Sequence, residues 1–462
     1  MSSIYRTWQS PDVAAGGNLP PGDALVQGES SIRSLTAPES QHYLAFQYVL
    51  LLYLFAYVAR IPEIVPWLKI GYLLEPILLI GLFLTNRTRS LLEVRPGRWL
   101  IAFTVWVAIC VPFSSWPGAS FGVSVVTFRV LLLVAFILAY LRSVRDVMRA
   151  LTTVGFASGT IAIVSFLAPE RAGGMGGRQG MGEAASLGDP NFFALYLVVG
   201  LALLCLTASQ NRGWVRMCAL VLIPINLVGV ARSGSRGGLL SLVAGLIMLL
   251  IYGSTKQRTV ILSACLLGVL VAAFILPETL KHRFTTLFTP NKPTGEETEE
   301  EKIASESADA RYYLLQRSLI MTAKHPIFGV GTGQFQEAEA KDAAAHGSRG
   351  TWHDTHNMYT QISSELGIPG FILFTGALFG SYRGLSGIRK RGPTLHIRQM
   401  ALFLQTAYFM LMVGALFLSL GYGGLPFVLI GISAAFQLAV RRHIRPTRTH
   451  VQVPQPEMSI AV

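Results

Sequence analysis

The sequence predicts an all-α, polytopic integral membrane protein with about twelve transmembrane helices. Three observations predict it. The chain is 52% hydrophobic and only 14% charged. It carries many apolar runs of 17 or more residues, too many and too long for one soluble core. Its basic residues fall unevenly between alternate connections.

The apolar runs lie near 43–59, 66–84, 99–116, 121–141, 147–168, 189–208, 214–231, 237–252, 259–276, 357–381, 399–420 and 424–440. One set of connections holds Arg87, Arg89, Arg95, Arg98, Arg142, Arg145, Arg149, Arg212, Arg216, Lys256, Arg258, Arg383, Arg389, Lys390, Arg391 and Arg398. The short loops of the other set hold Arg60, Arg171, Arg178, Arg232 and Arg236. Sixteen against five places both termini in the cytoplasm and the long polar segment after the ninth helix outside. The net charge of +13 is then largely a topology signal, and nucleic acid is not expected as a partner. The chain divides into a tail at 1–41, helices at 42–276, a large external loop at 277–355, helices at 356–440 and a basic tail at 441–462. The first tail lacks the basic-then-apolar shape of a signal peptide and reads as a disordered cytoplasmic segment. The second, with Arg441, Arg442, Arg445 and Arg448, suits anionic membrane lipid. Cys110, Cys205, Cys218 and Cys265 lie within apolar runs and read as small buried hydrophobes.

Taken in order, the second helix carries Glu75-Pro76 and the fourth carries Arg129. The charges fall nine and eight residues past the starts of their runs, and similar depth predicts an ion pair. A role for Arg129 in binding an anion is the alternative. The external loop after helix five is glycine-rich around Arg171 and Arg178 and ends Asp189-Pro190-Asn191, with Asp189 an N-cap for helix six. Between helices seven and eight stands Arg232-Ser233-Gly234-Ser235-Arg236-Gly237. Small neighbours do not neutralise these guanidiniums, whereas a phosphate or pyrophosphate would. Contact with lipid phosphates is the plainer alternative.

The external loop contains the acidic run Glu296–Glu301, read as mobile and solvated, and a helix at 309–324 suited to an interface. His325-Pro326-Ile327-Phe328-Gly329-Val330-Gly331 follows as a turn. Its glycines resemble a nucleotide loop only superficially, since no strand precedes them. The loop re-enters apolar sequence at Trp352-His353-Asp354-Thr355-His356-Asn357. Helix over 356–366 would stack His356, Thr360 and Ser363 on one line and Asn357, Gln361 and Ser364 on the next. Gly367 and Pro369-Gly370 would then break or bend it. His353, Asp354 and His356 also admit a metal reading, but one turn carries all three and no second His/Glu cluster accompanies them, so no metal is expected.

These motifs together resemble the bacterial O-antigen ligase and O-antigen polymerase superfamily. The resemblance rests on Asp189-Pro190-Asn191, Ser235-Arg236-Gly237, Arg311 with Leu315, His325-Pro326 with Gly329-Val330-Gly331, and His356-Asn357 followed by Gly367 and Gly370. It extends from about 170 to 440; the first 170 residues match mainly in hydropathy. The resemblance implies a lipid-carrier glycosyltransferase fold of the GT-C-like kind in the bacterial inner membrane. It implies a glycan donor on undecaprenyl diphosphate at the periplasmic face, with no cofactor. It implies His356 as the base that activates the acceptor hydroxyl and Arg236, Arg311 and Arg178 as diphosphate ligands, Arg171 competing with Arg178 for one place; Arg232, outside the motif, joins them as a diphosphate ligand only on the reading of its uncompensated charge. Asn357, Gln361 and Asn191 would support them. The acceptor stays open: lipid A–core for a ligase, a carrier-linked repeat for a polymerase, or a protein hydroxyl for an O-oligosaccharyltransferase. A transporter of lipid-linked glycan is the non-enzymatic alternative.

Overall fold

The computed structural model describes residues 41–87, 89–167, 178–181, 187–263, 266, 299–347 and 349–444. Among them every regular element is helical. Among the described residues, those from Phe46 onward cluster as one compact unit, which carries the helical bundle. We label the main helices α1 (Gln41–Val58), α2 (Ile70–Leu84), α3 (Arg95–Cys110), α4 (Pro117–Tyr140), α5 (Val144–Leu167), α6 (Pro190–Gln210), α7 (Gly213–Ser233) and α8 (Arg236–Tyr252). The polar segment supplies α9 (Glu299–Lys324) and α10 (Phe335–Ala345), and α11 (Met358–Arg391), α12 (Leu395–Gly414) and α13 (Gly424–Ile444) complete the order.

Eight stretches of these helices are long and apolar enough to cross a membrane: Arg95–Phe113, Pro117–Tyr140, Val144–Leu167, Pro190–Gln210, Gly213–Ser233, Met358–Arg391, Leu395–Phe417 and Gly424–Ile444. Tyr43–Val58, Ile70–Leu84 and Arg236–Tyr252 are apolar but shorter. Eleven of the twelve expected runs are therefore helices. The remaining one, 259–276, lies largely outside the described residues, although 255–263 is helical. The shortness of α2 has a local cause. The chain ahead of it is cut by Pro62 and Pro66 into one four-residue helix and one 3₁₀ turn, with Arg60 and Lys69 in the left-handed region at φ 57° and 34°.

Helices α6 and α13 are buried along most of their length, and α7 is mostly peripheral. At their crossing, Gly200 leaves room for the Ser158 hydroxyl, which accepts from Asn226 Nδ2 at 2.9 Å. A small residue thus lets α5, α6 and α7 approach around one polar contact. One cysteine departs from expectation: Cys110 is buried and Cys205 half-buried, but Cys218 is exposed on α7. It lies on a helix whose outer face carries Trp214 and Val221, an apolar surface of the kind lipid covers.

Hydrogen bonds sort the connections onto two faces. On one, Ser115 N–H donates to Val330 O at 3.0 Å, Gln179 N–H to Arg232 O at 3.1 Å, and Gly421 N–H to Gln361 Oε1 at 2.9 Å. On the other, Arg87 reaches Ala139 O at 2.9 Å, Gln210 bonds Gln399 at 2.5 Å, and Arg442 pairs with Glu93 at 3.0 Å. The segments carrying the motifs share the first face.

The polar segment is packed more firmly than its composition suggested. Leu314, Met321, Val330 and Phe335 form a small buried core. Asp342 ties α10 back to Arg317 and to Lys324, the latter at 2.7 Å, and these cations hold its carboxyl down to about 2. Helix α9 begins ten residues before the expected 309–324 element. Glu299, Glu300 and Glu301, expected in a solvated loop, lie within this helix. The rest of the acidic run, 296–298, lies outside the described residues.

Candidate functional site

Asn357, not His356, starts the motif helix. Its backbone is extended (φ −152°), and its Oδ1 accepts from Tyr359 N–H at 2.9 Å and Thr360 N–H at 3.2 Å. That is an N-cap, and it leaves His356 one residue outside α11. His356 itself takes φ 49°, the left-handed region that a non-glycine residue enters at a cost of roughly 1–2 kcal/mol. Its N–H donates to Ser419 Oγ at 3.0 Å, which fixes that conformation. The expected line through His356, Thr360 and Ser363 is therefore broken at its first member. The adjoining polar positions are used in packing: Ser363 meets Thr322 of α9 at 2.9 Å, and buried Gln361 holds Gly421.

The break expected at Gly367 is present, at φ 68°, ψ −174°. The His325–Gly331 turn is its counterpart. Val330 and Gly331 donate to the carbonyls of Ser364 and Glu365 at 2.9 and 3.1 Å, and Ile368 N–H reaches Pro326 O at 2.8 Å. A Cβ on Gly329 would lie 2.2 Å from Glu365 C, and one on Gly367 would lie 2.1 Å from Ile327 O. The glycines of this motif let two stretches of backbone touch. The Glu365 carboxylate completes the clamp by accepting from Gly333 N–H at 2.8 Å.

His356 lines a cleft of ≈ 330 Å³ together with Arg236, Arg311, Tyr312, Asn357 and Phe417. Arg311 arrives on α9, whose lining positions 308, 311, 312 and 315 recur at helical spacing. That periodicity is why Arg311 and Leu315 form one motif. Arg236 is the first residue of α8, after a left-handed Gly234 and a Ser235 cap that accepts from Gly238 N–H at 3.1 Å. The positive end of α8 thus adds to the two guanidiniums. No carboxylate is among the described lining residues.

Burial and the neighbouring Arg236 charge both push the Arg311 guanidinium down, against the pull of Asp189. Burial, then the charge of Arg311, also holds the His356 imidazole below its ordinary range, opposed by Asp189 and Asp354. Both effects favour the neutral form of the imidazole.

The other expected residues fall outside the lining. Arg178 donates to Ser233 O at 2.9 Å and to Asn191 Oδ1 at 3.1 Å. Asn191 Oδ1 also accepts from Ser235 Oγ at 2.8 Å, so Arg178 and Asn191 brace the turn that presents Arg236. The Arg232 guanidinium stacks over Phe166, 5.6 Å from the ring centre. Arg171 lies outside the described residues. His353 is exposed, with its ring centre 6.5 Å from that of His356, and Asp354 accepts from Gln336 at 2.8 Å. Sequence reasoning missed Tyr312, Phe417 and Ser419. The signal for Ser419 was the small-residue run Ser419-Leu420-Gly421-Tyr422-Gly423-Gly424, absorbed into a helix expected over 399–420. That helix ends at Gly414, followed by a 3₁₀ turn at Ala415–Phe417.

Residues 219–375 match the family model described as O-antigen ligase. The matched stretch holds Arg232, Arg236, Arg311, His356, Asn357 and Gln361, whereas Arg178 and Asn191 precede it. No curated protein matches the chain.

Proposed function

We propose, from the O-antigen ligase match over residues 219–375, that the chain is a member of the O-antigen ligase superfamily and moves a glycan from undecaprenyl diphosphate to an acceptor hydroxyl at the periplasmic face of the inner membrane. The observation that carries this reading is the meeting of Arg236, Arg311 and His356 in one cleft. Two cations that disfavour each other are stabilised together by a diphosphate between them, and guanidinium forks match its oxygens.

The reaction follows from the same groups. The bond between the sugar's anomeric carbon and the diphosphate oxygen breaks as the acceptor oxygen attacks from the opposite face, inverting configuration. The acceptor proton passes to neutral His356, and the carrier leaves as its diphosphate, whose charge Arg236, Arg311 and the α8 N-terminus stabilise. Bound diphosphate also offsets the Arg311 charge that depresses His356, so donor binding makes the imidazole a stronger base. Arg178 and Asn191 act through the α7–α8 turn, and Asn357 through its cap. No metal or other cofactor has a role in this scheme.

Lipid A–core, a carrier-linked repeat and a protein hydroxyl would all satisfy this chemistry. The deciding experiment is reconstitution of the purified protein with a defined undecaprenyl-diphosphate glycan and each acceptor, with the product identified by mass. A new glycosidic bond with release of carrier is expected. Movement of intact donor across the bilayer without that bond would establish the transporter instead.

A further inference from the structure

A second polar cavity, of ≈ 190 Å³, shares no lining residue with the Arg236–Arg311 cleft. It is bounded by α1, α2, α4 and the broken segment between α1 and α2, and Tyr53, Tyr57, Arg60, Glu63, Glu75 and Arg129 line it. We propose that this cavity binds one uncharged sugar ring of a lipid-linked substrate. The proposal rests on the glycan-transfer reading of the cleft.

Charge balance argues for the class of ligand. Arg129 grips Glu75 with two bonds, at 2.8 and 3.2 Å, and Arg60 meets Glu63 at 3.3 Å. Each guanidinium thus has its own carboxylate, and an anion would have to displace one. What the walls offer is carboxylate and guanidinium groups without net charge, with Tyr53 donating to Glu75 Oε1 at 2.5 Å, together with two phenol rings. Adjacent sugar hydroxyls, each both donor and acceptor, complement such a wall, and the rings offer apolar faces to the sugar's C–H edges.

Size restricts the ligand further. Pockets for drug-sized molecules run to roughly 300–1,000 Å³, so this one suits a single ring. An ion pair that served only to lock helices would be expected to close the space between them; here the pairs border a cavity. Polar groups at membrane depth are costly, and such clusters usually mark a substrate path.

The cavity also packs against the segment that follows the Ser419 turn. The Tyr57 hydroxyl packs against Gly424, where a Cβ would lie 2.0 Å from it. Gly424 opens α13 directly after the turn whose Ser419 holds the His356 backbone. A sugar bound beside Tyr57 therefore lies next to the segment that positions the proposed base.

The test needs no turnover. The full chain in nanodiscs is irradiated with diazirine-bearing alkyl glucoside, galactoside and N-acetylglucosaminide probes, and labelled peptides are identified by mass spectrometry. Label is expected within 53–75 and 126–130 for at least one probe, displaced by the matching methyl glycoside. Tyr57→Phe and, independently, Glu63→Gln should each lower it about three- to tenfold, the loss of roughly one hydrogen bond. Arg236→Ala should label like the unsubstituted chain. Absence of label there with every probe would overturn the proposal. So would displacement by phosphatidylethanolamine and not by glycoside, or loss of label in Arg236→Ala. Two folded variants that both keep full labelling would do the same. None of these outcomes depends on transfer, so the subsite can fail while the transfer reading stands.

Discussion

In the cleft between α8, α9 and the start of α11, Arg236 and Arg311 come together with no carboxylate among the described lining residues. In the cavity between α1, α2 and α4, each arginine is matched by a glutamate in the lining itself. The two regions use the same guanidinium chemistry and differ in what lines the space beside it. The cleft offers an incoming anion cationic walls; the cavity offers it walls already balanced. On the proposed reading, the difference teaches that what lines the space beside an arginine in a membrane protein, and not the arginine alone, decides whether an anion is favoured there.

The sharpest way to break this comparison is to remove the cleft's own groups. His356→Gln keeps a polar side chain but no useful base, and transfer should fall by about 10²–10⁴-fold while donor still binds. Arg236→Ala should instead weaken donor use, and Arg236→Lys should recover part of it, since lysine restores charge without the bidentate fork. Transfer measured against donor concentration separates the two effects. Undiminished turnover in His356→Gln would place the base elsewhere, and undiminished donor use in Arg236→Ala would remove that residue from the diphosphate site.

The next effect is a displacement along the pH axis. Transfer should fall as pH drops through the His356 pKa, which lies below the ordinary imidazole value, because only the neutral ring accepts a proton. Arg311 opposes the charged ring, so Arg311→Gln should move the acid limb upward in pH, besides weakening donor use. Asp189 favours the charged ring, and Asp189→Asn, which keeps the cap of α6, should move it downward. Profiles of kcat/KM for the donor, which report the donor-free protein, decide the matter. Equal displacement in the same direction for both variants would sever His356 from this charge balance.

How much of this was legible in the sequence depends on the range of the interaction. Helices announce themselves by composition, and the depth of Glu75 and Arg129 along their runs anticipated their pairing. Caps and breaks are local too, so Asp189 and Gly367 were readable in place. The assignment of His356 to a helix was wrong by one residue, because Asn357 is the stronger cap and its side chain satisfies two N–H groups. Longer-range facts had no local signal. Charge and small neighbours alone do not distinguish Arg232, stacked on Phe166, from Arg236 in the cleft; the Ser235-Arg236-Gly237 motif singles out the second, and the helix start at Ser235 gives the physical reason. Likewise, His325–Gly331 gained meaning only when the chain brought it against the break at Gly367.

A smaller effect tests whether the base is held as well as tuned. Ser419→Ala removes the acceptor for the His356 N–H and a neighbour of Thr355 Oγ1. One hydrogen bond is worth about 0.5–1.5 kcal/mol, so kcat should fall about three- to tenfold. The acid limb should stay where it is, since the serine carries no charge. Ser419→Thr, which keeps a hydroxyl, should restore part of the rate; a shifted limb would mean that Ser419 acts through the ring's protonation.

The smallest expected effect belongs to the balanced cavity and concerns stability. Glu75→Gln leaves Arg129 without its carboxylate, and Arg129→Gln leaves the Glu75 charge. Breaking a fully buried pair costs roughly 3–5 kcal/mol. Here the Arg129 and Glu75 side chains are 38% and 22% exposed, so solvent or lipid headgroups share the burden and the cost of either single change should be nearer about 1 kcal/mol. The two changes together remove both charges at once, and the amides can still meet across the same space. The double variant should therefore melt closer to the unsubstituted protein than either single variant does. Additive losses in Tm would mean that each residue is held by partners other than its mate, and the internal closure of charge in this cavity would fail with that result. The two arginines of the cleft should behave differently: combining Arg236→Gln with Arg311→Gln should restore no donor use, because neither is the other's counter-ion.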